Sequence, residues 1–454
     1  MEDRSCCDAM PRLTGTLHVD DASRRAYAHD YGQIVHEYPE AVVRPGSIGD
    51  VVEVVRYARR NGLRIAARGF GHQPFGQAQV GGGIVIDMQS FQTVHSVEDD
   101  HVTADAGADW AAVLKASLDR ARTPPVLPAH LGLTVGGTLS IGGLGLATLH
   151  HGAQIDHVRE LQVVTGEGVV VTCSEREHGD LFEAVLAGQG QCAIITRAVL
   201  DLVPARPMLR EYVLPYAGLP ALLQDQQAVL HDGRFDGAVA TIVPSPMGWM
   251  YMLQAVRHFT PPDLPDDAAS MAGLHHVARS EQTRDLGYLE HAAASPPFDP
   301  VKSHADLGLL IPGPAAERFI GDMLPRLTAS ELGEAKAMRV FTWNRDLFTR
   351  PLFRVPEADT CVYLALLRAE TTDRDIVDRM LAGNRSLFEH NRDLGGTLYP
   401  YSALELTRRD WRQHYQRSWR ALIAAKRRHD PDNVFASGPD LAGGRARTAA
   451  AHHD

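Results

Sequence analysis

The sequence predicts an α+β protein of two domains, the second built on an antiparallel sheet with helices on one side. Three observations carry this. Short apolar strands and helices mix through residues 40–205, interrupted by two glycine-rich loops. Near residues 204–207 the pattern changes, and 208–405 hold longer segments of alternating apolar and polar residues. The chain has 454 residues, 44% apolar and 22% charged, enough to fill a large core in two or three domains. The divisions read are an N-terminal extension 1–35, a first domain 36–205, a second domain 206–405, a C-terminal segment 406–442 and a disordered tail 443–454.

In order along the chain, the first forty residues read as polar and irregular. Ser47 then caps a helix in which Val51, Val54, Val55 and Ala58 recur at helical spacing, and Asn61-Gly62 ends it. A strand over 63–67 runs into a glycine loop at 68–77. Strands follow at 84–88 and 102–106, then a helix at 108–121. Residues 131–145 hold too much glycine for a regular element. Gly166-Glu167-Gly168 turns a hairpin between 160–165 and 169–172. A short helix at 180–186 and a strand at 193–202 close the first domain. The second domain shows strands at 237–243, 249–256, 307–311, 337–343 and 360–367, with helices at 219–230 and 315–327. One helix runs from Arg409 to Arg428.

Composition excludes several functions. The net charge of −11 argues against general nucleic-acid binding, which needs concentrated Lys and Arg, and against docking on anionic lipid. No apolar run approaches the roughly 20 residues that span a bilayer. The N-terminus has acids and no apolar stretch, so a cytoplasmic location is expected. The cysteines Cys6, Cys7, Cys173, Cys192 and Cys361 are odd in number and lack zinc or redox spacing. Cys173 and Cys192 lie in strand-like runs and read as buried thiols. The pairs His150-His151 and His275-His276 have no carboxylate at ligand spacing, so no metal is expected. No GxSxG nucleophile motif occurs.

Chemistry concentrates in two loops. Arg68-Gly69-Phe70-Gly71-His72-Gln73-Pro74-Phe75-Gly76-Gln77 follows a strand, and its glycines can turn backbone N–H groups toward an anion such as a pyrophosphate. It is neither a Walker A loop nor a Rossmann fingerprint, since the Lys-Ser/Thr and the third glycine are missing. A structural turn would use the same glycines. The second loop, Leu133-Thr134-Val135-Gly136-Gly137-Thr138-Leu139-Ser140-Ile141-Gly142-Gly143-Leu144-Gly145, offers another wall of donors. Its alternative is a buried crossing where only glycine fits.

These loops resemble the FAD domain of the vanillyl-alcohol oxidase/p-cresol methylhydroxylase flavoprotein family, as do His151-Gly152-x-Gln154-Ile155 and Gly188-x-Gly190-Gln191-x-x-Ile194-Ile195-Thr196-Arg197. The nearest branch is cytokinin dehydrogenase. Asp225-Gln226, Phe235-Asp236 and His304-x-x-Leu307-x-Leu309-x-Ile311-Pro312 resemble its substrate domain. Asp410-Trp411-x-x-His414 and Asp430-Pro431 resemble its return to the flavin domain. The resemblance spans residues 35–442 and implies a two-domain fold of the p-cresol methylhydroxylase (PCMH) type that binds FAD. By the same resemblance His72 is the residue joined covalently to the flavin. Arg68, Gly69, Phe70, Gly71, Gln73 and Gln77 surround the cofactor from the first loop. Thr134, Gly136, Gly137, Thr138, Ser140, Gly143 and Leu144 do so from the second, and Ile195 adds a backbone contact. Either Tyr399 or Tyr401 stands near the flavin. No cysteine lies in 131–145, which argues against a second covalent bond to the flavin.

The departures bear on function. The aspartate that binds the substrate amine in that branch is replaced by Ala129, and the pocket tryptophan by Asp306. The C-terminal flavin contact reads Ala436-Ser437-Gly438-Pro439, and proline has no N–H to donate. The expected function is an FAD-linked oxidation of a small or medium organic substrate other than cytokinin, in natural-product tailoring, with molecular oxygen as the final oxidant. Asp306, His130, Tyr399 and Tyr401 are the candidates for proton transfer. Asp306 precedes an alternating strand, where a solvated position and a place in the cavity are both open. The alternative function is a non-redox cyclase or isomerase that uses the flavin-filled fold as a shaped cavity.

Overall fold

The computed structural model describes residues 10–294, 299–332, 337–436, 438 and 441. Cys6, Cys7, Ser437, Pro439 and the tail expected over 443–454 lie outside the described residues.

Three larger sheets and a two-stranded one, Arg122–Thr123 with Val203–Pro204, build the described residues. In the first, Ala41–Arg44 and Ile65–Arg68 both run parallel to Ile84–Asp87, and Thr16–His18 pairs antiparallel at the edge. The helix Ile48–Asn61 crosses between them. Ser47 Oγ accepts the Asp50 N–H at 3.2 Å, and Gly62 ends the helix at φ 65°, which a glycine adopts without strain. Val51, Val54, Val55 and Ala58 of this helix are buried against Val43, Ile65, Ile84 and Ile86.

The second sheet is antiparallel, in the order Val94–Val97, His101–Asp105, Ala193–Asp201, Val158–Thr165, Val170–Ser174. The last two form the expected hairpin, with Gly168 at φ 70°. The third sheet has eight antiparallel strands. Its order is Gln282–Gly287, Met208–Tyr216, Gly248–Phe259, Gly237–Ser245, Met338–Asn344, Thr360–Leu366, Leu307–Pro312, Thr397–Leu398. Helices Leu219–Asp232 and Arg374–Asp393 pack against it. One apolar core runs from Val102 through both larger sheets to Leu441. Cys173, Cys192 and Cys361 are buried and free. Among the described residues no helix is long and apolar enough to cross a membrane.

Four local expectations need correction. The first forty residues are not irregular throughout: Asp20 caps a helix Asp21–Ala26, and Thr16–His18 is a strand. Elements this short show no periodicity. Residues 131–145 do contain a regular element, the helix Val135–Leu139, whose start Thr134 caps by accepting the Gly137 N–H at 3.3 Å. Helix Ala316–Met323 ends short of Pro325, with a single tighter turn following. The expected helix 409–428 is two helices, Arg408–Tyr415 and Trp419–His429, broken where Gln416 takes φ 45°.

Candidate active site

Strand Ile65–Arg68 delivers the first glycine loop to a partly open cleft. Arg68, Gly69, Phe70, Gly71, His72, Gln73 and Gln77 line one side. Thr134, Gly136, Gly137, Thr138 and Ser140 line the other, with Ile195, Tyr399 and Tyr401 completing the wall. Ile195 sits beside a register shift in its strand, which re-aims the backbone there. Gly143 and Leu144 stand behind the cleft. Gly143 packs on Gln154 and faces the Tyr399 hydroxyl, and Leu144 joins the core.

The two loops are glycine-rich for different reasons. In the second, the amides are spent inside the protein: Val135 N–H donates to Ala108 O at 2.9 Å and Gly136 N–H to Ala106 O at 2.7 Å. A Cβ on Gly136 would lie 2.8 Å from the Ala106 Cβ. The close crossing, and not a wall of free donors, explains this glycine. In the first loop a Cβ on Gly69 would fall inside the Thr134 hydroxyl, so the two walls touch there. Gly71 has φ 73° and abuts the Arg68 guanidinium. Arg68 is itself buried and donates to His29 O at 2.5 Å and Tyr27 O at 3.3 Å.

The turn at 27–33 anchors the loop. Asp30, 2% exposed, accepts Gly32 N–H at 3.1 Å and Gly76 N–H at 2.6 Å. Burial outweighs these bonds and pushes its carboxyl up to about 7. Tyr31 N–H donates to Gly71 O at 2.9 Å, and His304 N–H donates to Gly32 O at 2.9 Å. This turn therefore touches both the first glycine loop and the segment that leads into strand Leu307–Pro312.

His72 lies at the centre of a cluster of rings. Tyr31 is 4.1 Å away between ring centroids, His130 5.4 Å, and Tyr401 5.9 Å with planes 12° apart. Burial, then His130 and His304, push the His72 imidazole down to about 3, so it is neutral across the physiological range. Tyr31 also stacks on His304 at 4.2 Å. Asp306 is 1% exposed, so the solvated reading of this residue is corrected. Its Oδ1 accepts the Arg368 N–H at 2.9 Å, and its Oδ2 accepts the Tyr31 hydroxyl at 3.1 Å and the Tyr401 hydroxyl at 3.5 Å. Asn384 braces it by donating to Ala305 O and Ala403 O while accepting from the buried Arg368 guanidinium.

Of the two tyrosines, Tyr401 joins His72 and Asp306, whereas Tyr399 packs on Phe353 and Tyr363. Burial raises both hydroxyls above the ordinary tyrosine value. His130 is half-buried, lowered by burial, and packs edge-on against Phe70 at 5.9 Å. Its neighbour Ala129 is exposed. Sequence reasoning missed Asp30, Tyr31 and Gln189. The first two sit in a turn without periodicity. Gln189 had one signal, its place between glycines: it takes φ 54° and donates to the Tyr415 hydroxyl at 2.6 Å.

The cleft fits a large polar cofactor. Gln73 Oε1 and Gln189 Oε1 are buried at its lining, and His130 Nε2 is buried close by, each without a hydrogen-bond partner among the described residues. Buried polar atoms in native proteins are nearly always paired, so these point to a ligand with its own donors and acceptors.

Comparison with known proteins agrees. A family model for an FAD binding domain matches residues 39–174. A second, described as cytokinin dehydrogenase 1, FAD and cytokinin binding, matches residues 301–441. An uncharacterized oxidoreductase in the fasciation locus of Rhodococcoides fascians is 37% identical over 440 residues, covering 94% of this chain and 99% of that protein. Cytokinin dehydrogenase 1 of Oryza sativa subsp. japonica is 30% identical over 488 residues, covering 94% and 92%. The crystal structure of 6-hydroxy-D-nicotine oxidase from Arthrobacter nicotinovorans matches with a TM-score of 0.75 at 22% identity, covering 95% of this chain and 99% of that one, and shows the shared PCMH-type fold. The cyclase alternative finds no support among these relatives. The chain belongs to the cytokinin dehydrogenase-like family of FAD-dependent oxidoreductases.

Proposed function

We propose that this oxidoreductase acts on a small or medium organic substrate other than a cytokinin, in natural-product tailoring, with FAD joined covalently to His72. The observation that carries the reading is the placement of acidic groups. The carboxylate Asp306 lies behind Tyr401 and Tyr31 beside His72, while position 129 offers only a methyl group. Bound FAD supplies the hydride-accepting ring, and molecular oxygen is the final oxidant. The chain supplies the rest. Tyr401, which lines the cleft, takes the substrate's proton on its hydroxyl oxygen as it hands its own to Asp306, its hydrogen-bond partner. His130, neutral and with a buried Nε2, takes or holds a proton at the mouth. Tyr399 shapes the wall. The neutral His72 ring keeps the lone pair that attachment requires. A cytoplasmic site of action is part of this proposal.

Two measurements test it. Isopentenyladenine mixed with the enzyme without oxygen is expected to leave the flavin absorbance unchanged; bleaching at the rate of a true cytokinin dehydrogenase overturns the substrate reading. With a substrate that does bleach the flavin, Asp306→Asn is expected to slow bleaching by about 10²–10⁴-fold at unchanged flavin content. An unaltered rate removes Asp306 from the chemistry.

A further inference from the structure

Tyr31 comes from a turn ahead of the first domain's parallel strands, yet it stands inside the site. Its ring contacts two others, His72 and His304, with centroid spacings of 4.1 and 4.2 Å and planes 33° and 28° apart. Its main chain and hydroxyl are both tied down. The Tyr31 N–H donates to Gly71 O at 2.9 Å, next to His72, and the hydroxyl donates to Asp306 Oδ2 at 3.1 Å. His72 itself follows Gly71, a glycine at φ 73° in a loop with glycines at 69, 71 and 76. Such a loop gives an imidazole little intrinsic direction.

We infer that Tyr31 is a positioning residue for flavin attachment: its aromatic face, steered from the second domain by Asp306 and His304, holds the His72 ring in the orientation that meets the flavin methyl group. The inference rests on the covalent reading above. Attachment exchanges one methyl C–H and one imidazole N–H for a C–N bond, and the two hydrogens leave on molecular oxygen as hydrogen peroxide. The ring nitrogen must approach along one line, and a displacement of about 1 Å can cost such a reaction about 10²-fold. The Tyr31 ring against His72 fixes that line. It also makes attachment depend on the second domain, because the residues that hold Tyr31 from behind belong to the segment 304–306.

The test uses the full chain, expressed aerobically, harvested shortly after induction, denatured and weighed by intact-mass spectrometry. Wild type is expected to carry the flavin mass. Tyr31→Phe keeps the ring against His72 and His304 but loses the Asp306 bond, and is expected to lose clearly less than Tyr31→Leu. Tyr31→Leu, which keeps bulk without an aromatic face, and Tyr31→Ala are expected to fall by about tenfold or more. Thermal melting of each variant reports folding, and Tyr31→Leu decides the matter where Tyr31→Ala does not fold. Labelling of Tyr31→Leu at the wild-type level overturns the inference. So does a loss in Tyr31→Phe as deep as in Tyr31→Leu, which would assign the effect to the hydroxyl. A wild-type chain without flavin mass overturns the covalent reading and this inference with it, whereas a labelled wild type with fully labelled Tyr31→Leu overturns this inference alone.

Discussion

A methyl group on Gly69 would have to displace the Thr134 hydroxyl, and Thr134 is not free to move because it caps the helix Val135–Leu139. Two walls of the flavin cleft are thus in contact through the absence of one side chain. Overpacking of this kind costs about 1–3 kcal/mol. Gly69→Ala is expected to yield a folded protein with several-fold less flavin per chain, read from the flavin-to-protein absorbance ratio. An unchanged ratio would show that the walls can separate. The glycine loop at 68–77 was legible in the sequence as a place where side chains are missing, but its residues alone also suited a structural turn, and His72 was singled out through the family resemblance. Tyr31 was not legible. A tyrosine in a polar turn carries no mark of the ring it will stack on 41 positions later.

At the scale of elements, the turn 27–33 holds the flavin loop through Asp30, and this gives a pH dependence. The Asp30 carboxyl sits at about 7 in the fold, above its unfolded value of about 3.9. The folded protein therefore binds a proton that the unfolded chain has released. The stabilisation is fully present below about pH 4 and is lost as pH rises through about 7, a change on the order of 4 kcal/mol. Asp30→Asn is expected to flatten the slope of the urea midpoint against pH between these limits. A slope that survives the substitution would place its source elsewhere. Which elements could be read beforehand follows from similar local physics. Helix Ile48–Asn61 announced itself through a serine cap, four apolar positions and a terminal glycine. The break at Gln416 announced nothing, since glutamine is a good helix former. Only the tertiary contact in which Gln416 Oε1 accepts from Arg354, together with Ser418 bonding Pro351 O, shows what holds the bend. The short helix Val135–Leu139 was hidden by its own glycines, of which Gly136 is there for the crossing with Ala106 and not for the helix.

Across the whole molecule, the chain's end returns to its beginning to complete the flavin domain. Val434 and Ala436 bracket Ile65 in the strand that feeds the flavin loop: Ile65 N–H donates to Val434 O and Ala436 N–H to Ile65 O, both at 2.8 Å. Gly438 N–H then reaches Gln77 O at 2.8 Å. A buried ion pair fastens this return. Lys426 Nζ donates to Asp430 Oδ2 at 2.6 Å, to Gln191 O at 2.8 Å and to Phe435 O at 3.2 Å. Asp430 in turn accepts the Val434 and Phe435 N–H groups at 2.8 and 3.0 Å. One lysine thus joins the C-terminal helix, the returning segment and the loop beside Gln189 and Gly190 that lines the cleft. Lys426→Met keeps the stem but leaves the Asp430 charge buried without its cation, a loss of about 3–5 kcal/mol. The damage is expected to be local first. Hydrogen exchange should quicken at 434–436 and at 65–68 before it does in the eight-stranded sheet, and flavin that is not covalently held should leave on dilution. Adding Asp430→Asn removes the unpaired charge and is expected to restore part of the stability while exchange at the return stays fast. Uniform quickening across the eight-stranded sheet would show instead that the pair stabilises the fold at large and that the closure of the flavin domain does not depend on it.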